Sequence, residues 1–156
     1  MLGALGGRFM PAPAIPVDAA GAKFAIADVD EDLHQDLISC TAATSPTCRI
    51  LYGTGAGSFA GAPLPAAPTI GRDVRGAAAD DFDGDGYVDL AGVSRQDSRL
   101  VVHFGGPAPS SLGLETGELP EALAIADLNN DGRQDLLAAN AGSQDVSIFI
   151  NMGGRQ

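Results

Sequence analysis

Tryptophan is absent from the 156-residue chain, and aromatic side chains make up only 5% of it. A core built on large rings is excluded, and a surface that stacks sugars on indole is excluded with it. Lys and Arg number 9 against 20 Asp and Glu, a formal net charge of −11. That balance argues against a nucleic-acid partner, because a phosphate backbone needs a positive footprint. No apolar run is long enough to span a bilayer as a helix. Near Met1 there is no basic segment leading into a full apolar stretch, so the expectation is either a protein that is not exported or a sequence that starts after a removed signal or inside a larger protein. No segment carries the 3.6-residue periodicity of a long helix. Only two cysteines are present, Cys40 and Cys48. They are expected at facing ends of two strands of one hairpin, where a disulfide is geometrically feasible. A bridge there would imply an oxidising compartment, extracellular, periplasmic or on the cell surface.

What the chain does contain is 21 Gly, 10 Pro and a 45% hydrophobic share supplied mostly by Ala, Val, Leu and Ile. This composition favours many tight turns and short strands packed through small side chains. Residues 24–37, 77–90 and 123–136 align as three copies of one segment, an apolar run, an acidic loop and a second apolar run. Asp28 to Asp81 is 53 positions and Asp81 to Asp127 is 46, the cysteine hairpin accounting for the longer period. Further strands follow at 49–52, 100–104 and 146–150, and a weaker fourth strand follows a Gly-rich turn at 57–63. Four short strands per repeat of roughly fifty residues is the pattern of a β-propeller blade. The expected fold is all-β, a single propeller segment over 1–156 with repeats at roughly 6–54, 55–105 and 106–156.

The chain opens with Gly6, Gly7, Arg8 and Phe9, which match the fourth-strand start at Gly57, Ser58 and Phe59, and it ends where the third repeat would begin its own fourth strand. Three blades make too tight a ring, since propellers have about 4–8. The expectation is a homodimer, each chain giving its first strand to the other's last blade, to form six blades without an open edge; the alternative is a piece of a longer propeller.

The acidic loops carry the spacing Asp-x-Asp-x-Asp-Gly-x-x-Asp. Calcium takes about six to eight oxygen ligands, and side chains at loop positions 1, 3 and 5, a carbonyl at 7 and a closing carboxylate supply them. The second loop fits in full, with Asp81, Asp83, Asp85, the Tyr87 carbonyl and Asp89 around Gly86. The third offers Asp127, Asn129, Asp131, the Arg133 carbonyl and Asp135 around Gly132. The first offers Asp28, Asp30, Asp32, the His34 carbonyl and Asp36, but Leu33 stands where the glycine is needed, which ranks it weakest. The closing Asp falls at position 9 and a strand follows directly, unlike the helix–loop–helix site whose closing Glu is at 12. Up to three Ca2+ are expected per chain, and three would bring the formal charge from −11 to −5.

This motif, together with Gly53, Gly55, Gly57 and Phe59 between copies, resembles the FG-GAP/VCBS repeats of integrin α heads and several propeller lectins. The resemblance implies a propeller whose calcium ions brace loops on one side of the ring. A closed, all-oxygen site implies structural rather than catalytic metal, and the serines show no nucleophile elbow or paired base. The chain is therefore expected not to be an enzyme. Its expected role is a secreted, lectin-like or adhesion-like recognition module for glycan or protein. Tyr52, Tyr87 and His103 are candidate contacts, although core or rim packing suits each of them as well. The alternatives are an accessory domain of a larger secreted enzyme and a self-assembling half-propeller with no ligand besides calcium.

Overall fold

A computed structural model describes residues 11–16, 23–41, 48–62 and 70–154. Among these every regular element is a strand: β1 (Lys23–Ala27), β2 (Asp36–Cys40), β3 (Cys48–Gly53), β4 (Phe59–Ala62), β5 (Val74–Asp80), β6 (Asp89–Ser94), β7 (Arg99–Phe104), β8 (Ser110–Glu115), β9 (Pro120–Ala126), β10 (Asp135–Asn140) and β11 (Asp145–Phe149). They form three antiparallel sheets in the orders β1-β2-β3-β4, β5-β6-β7-β8 and β9-β10-β11. Each sheet begins with the strand that precedes an acidic loop. The outer strand β4, which opens the second repeat period, therefore belongs to the first sheet.

Residue choice explains the stacking of the sheets. Side chains alternate between faces along a strand. One face of the first sheet presents Ala25, Ala27, Ile38, Cys40, Cys48 and Ile50, and it packs with Ile70, Val74, Ala79 and Leu90. The opposite face of the second sheet presents Ala91, Val93, Leu100 and Val102, and it packs on Leu136 and Ala138 with Leu123, Ile125 and Phe149. The second sheet is thus sandwiched, and all six residues of β6 are buried. Each fully buried Val or Leu contributes on the order of 1.5–3 kcal/mol.

The first strands β1, β5 and β9 run side by side, with β5 in contact with both others. They approach so closely that a Cβ on Gly76 of β5 would lie 2.6 Å from the Leu123 amide nitrogen. This is why these strands are rich in Ala and Gly. The third sheet has three strands among the described residues. The N-terminal outer strand expected from Gly6 to Phe9 lies outside the described residues, and residues 11–16 are exposed and without regular structure.

Candidate metal centre

The three acidic loops connect β1 to β2, β5 to β6 and β9 to β10, all at the same end of the sheets. Each is shaped first by its own carboxylates. The position-1 Asp accepts backbone N–H groups from further round the loop. Asp28 takes those of Asp32 (3.1 Å) and Leu33 (2.9 Å), Asp81 those of Gly84, Asp85 and Gly86, and Asp127 those of Asp131 and Gly132. The position-5 Asp accepts the N–H two residues on, so that Asp32, Asp85 and Asp131 hold His34, Tyr87 and Arg133. These turns require positive φ at position 6, found at Gly86 (88°), Gly132 (87°) and Leu33 (69°). The strain expected from Leu33 is present, and its side chain is 90% exposed with no packing to offset it.

Position 4 is also left-handed, at Glu31 (60°), Gly84 (80°) and Asn130 (60°). The motif does not mark this second constraint, although the Gly and Asn in two of the three loops are its trace.

The closing Asp has a role that sequence reasoning missed. Asp36, Asp89 and Asp135 are 0%, 1% and 0% exposed. In each, Oδ2 accepts the N–H of loop position 2, from Val29 (2.8 Å), Phe82 (2.9 Å) and Leu128 (2.9 Å). Oδ1 accepts the N–H of the residue where the third strand leaves the sheet, from Gly53 (2.7 Å), Gly105 (2.8 Å) and Asn151 (2.8 Å). The closing Asp therefore clamps the metal loop to the start of the next turn. A donor recurring 16 or 17 residues after each closing Asp was the available signal. Burial raises the pKa of Asp89, the N–H groups of Gly105 and Phe82 oppose that shift, and Asp83 and Asp81 add to it.

Carboxylate oxygens of Asp28, Asp30 and Asp36 come within 4.8 Å of one another, as do those of Asp81, Asp83 and Asp89. Two sets of three hard oxygen donors fit a hard divalent cation. Asp30 is pushed up by desolvation and then by Asp32 and Asp36, the expected response of acids crowded without a counter-charge. In the third loop Asn129 stands where Asp30 and Asp83 stand in the others. Its Nδ2 donates to Asp131 Oδ2 (2.8 Å), on which the Arg133 guanidinium also rests. Burial acts to raise the Asp131 pKa, but the Arg133 N–H, Asn129 and the Arg133 charge together bring it below the ordinary value. This loop carries part of its own counter-charge.

The position-7 side chains lie against glycines of the neighbouring turn. A Cβ on Gly55 would meet the His34 ring at 2.4 Å, one on Gly106 would meet Tyr87 at 2.9 Å, and one on Gly153 would meet Arg133 at 3.3 Å. All three glycines have positive φ. Tyr52 packs against the first core cluster, and His103 bonds Ser111 Oγ at 3.0 Å, with burial lowering its pKa. His34 instead bonds Asp32, which raises its pKa. Cys40 and Cys48 pair across β2 and β3 and are joined by a disulfide.

Repeated antiparallel sheets of three or four strands, each with an Asp-rich loop between its first two strands, define a β-propeller-like repeat protein. The FG-GAP-like repeat model matches residues 28–92 and again 81–138, and the chain belongs to that family. A comparison with curated proteins found no match.

Proposed function

We propose that the chain is a calcium-braced propeller segment that serves recognition outside the cytoplasm rather than catalysis. The observation that carries this reading is the convergence of three carboxylates in each of two loops, Asp28 with Asp30 and Asp36, and Asp81 with Asp83 and Asp89. All the donors are oxygens, the choice of Ca2+ over softer metals. Bound metal would relieve the repulsion within each cluster and hold the loop that the closing Asp clamps to the adjoining turn. Rigid loops displayed at one end of stacked sheets suit the binding of a glycan or a protein surface. The absence of tryptophan favours contacts through loop polar groups and Tyr87, which is 48% exposed. The buried Cys40–Cys48 disulfide supports an oxidising compartment.

Calorimetric titration with Ca2+ and with Mg2+ tests the reading. Binding of two Ca2+ per chain at loops one and two, with the third loop weaker because of Asn129 and Arg133, is the expected result. No heat and no change in melting temperature on adding Ca2+ would sink it. A glycan array probed with calcium-loaded protein, with and without chelator, then separates a sugar ligand from a protein one.

A further inference from the structure

The two ends of the stack are unfinished, and they match each other. The rule of packing is that one face of each sheet meets the opposite face of the next. By that rule the first sheet has one free face, where Phe24 and Ile26 are 50% and 52% exposed, and the third has the other, where Val146 and Ile148 are 54% and 55% exposed. The outer edge of β11 pairs with no strand among the described residues. Beside it a groove of about 600 Å³ opens between the second and third sheets, lined by Phe104, Leu112, Leu114, Phe149 and Met152.

The chain contains a strand of the kind that is missing. Gly57, Phe59, Ala62 and Pro63, in and around β4, recur at an offset of fifty as Gly7, Phe9, Ala12 and Pro13. β4 closes the first sheet, and the chain then crosses to β5, which starts 15 residues after Phe59. Phe9 precedes Lys23 of β1 by 14 residues. By the same topology, a strand formed by residues 9–12 would belong to whichever sheet covers the free face of the first sheet. The chain's own third sheet lies on the far side of the second, and the third sheet of a second copy offers the free face and the free edge that fit.

Register strengthens the match. Thr54 donates its N–H to the Ser58 carbonyl at 3.0 Å, next to the pair Gly53↔Phe59. Hydrogen-bonded pairs alternate in an antiparallel ladder, so Tyr52↔Ala60 and Ile50↔Ala62 are bonded pairs while the Gly61 N–H points outward. Gly53 and Asn151 occupy equivalent places, each donating to a closing Asp. Aligned on them, Phe9 falls opposite Asn151, Met10 opposite Ile150, Pro11 opposite Phe149 and Ala12 opposite Ile148. Pro11 then stands where no N–H is needed, and Pro13 stands at the next such position. A strand with proline at alternate positions can pair on one side only, as an outermost strand should.

We infer that residues 9–12 of a second copy pair with the free edge of β11, and that the exchange is mutual and joins six sheets into one ring. The inference rests on the blade reading above. Light scattering on the full chain should give twice 15.7 kDa. Ala12→Pro places a ring at a bonded position and should weaken dimerisation on the order of tenfold or more. Pro11→Ala should not weaken it. Ala12 is exposed and outside any sheet in the single chain, so neither variant should disturb folding. Met10→Cys mixed with Ile150→Cys should form a covalent dimer under oxidation, and Met10→Cys mixed with Ile148→Cys should not. A monomer at every concentration overturns the inference, as does equal dimerisation of the two proline-site variants. A monomer whose β11 amides resist hydrogen exchange would place the chain's own N-terminal strand there, and overturns it too. Calcium titration of the same samples keeps the two readings apart. A monomer that binds Ca2+ sinks only the strand exchange, and a dimer that ignores Ca2+ sinks only the calcium reading.

Discussion

Leu33 is the clearest conflict between sequence and backbone in the molecule. An L-residue held at φ 69° costs about 1–2 kcal/mol, and this side chain gains nothing from burial to offset that. Leu33→Gly should therefore stabilise the metal-free protein by about 1 kcal/mol in urea melts, and it should tighten cation binding at loop one. The carboxylates of a loop differ in role even though the motif writes them alike. Asp89→Asn would turn an amide N–H toward the buried donor of Phe82 or Gly105, and should cost about 2 kcal/mol without any metal present. Asp83→Asn keeps the oxygen that accepts the Asp85 N–H, as Asn129 does in the third loop. It should leave the metal-free melt almost unchanged and weaken only cation binding. Equal destabilisation by the two variants would refute the division of roles.

At the scale of elements, the hairpin joining the second and third strands of each sheet is tied in a different way. The last residue of the second strand is Cys40, Ser94 or Asn140. Cys40 is bridged to Cys48, while Asn140 donates to Asp145 (2.6 Å) and Ser147 (2.9 Å). Ser94, fully buried, hydrogen-bonds Asp97 at 2.6 Å, and Arg72 pairs with the same carboxylate through its side chain and backbone N–H. The Ser94 bond, with help from Arg72, holds the Asp97 pKa below the ordinary value of 3.8. A depressed carboxylate pKa contributes stability above its unfolded value, and loses it as pH falls through the folded one. Asp97→Asn should cost about 1–2 kcal/mol at neutral pH. That difference should shrink once the pH drops below about 4, where the unfolded chain's carboxyl begins to protonate, and vanish as the folded carboxyl protonates at lower pH. A difference that stays constant with pH would show that packing, not charge, carries the effect.

At the scale of the whole molecule, charge is divided between the two ends of the sheets. Residues 28–36, 80–89 and 127–135 hold thirteen of the 20 acidic residues and only one of the nine Lys and Arg. At the opposite end Arg72, Arg75, Arg95 and Arg99 pair with Asp97, Asp73, Glu121 and Glu115. The net charge therefore sits on the loop face, where it repels itself. Chelator-treated protein should gain melting temperature as salt rises from about 0.01 M to 1 M, because the screening length falls from about 30 Å to 3 Å. Calcium-loaded protein should melt higher and depend less on salt. Flat salt dependence without metal would mean that the crowded carboxylates do not limit stability.

The acidic spacing, the small-residue strands and the threefold repeat were legible in the chain because they are local. A loop that folds round a cation and a strand that alternates its faces both write short-range patterns. Residue order alone also located the disulfide pair and the strained Leu33. Other features depended on neighbours distant in sequence. The clamp from each closing Asp to Gly53, Gly105 or Asn151 is one of these. So are the contact between β5 and β9 that admits only Gly76, and the gathering of carboxylates in loop one despite its missing glycine. An acidic loop reads the same whether its closing carboxylate faces solvent or a buried backbone N–H. Only the return of the third strand of the same sheet decides between the two, because the Gly53, Gly105 or Asn151 N–H that Oδ1 of Asp36, Asp89 or Asp135 accepts stands 16 or 17 residues further along the chain.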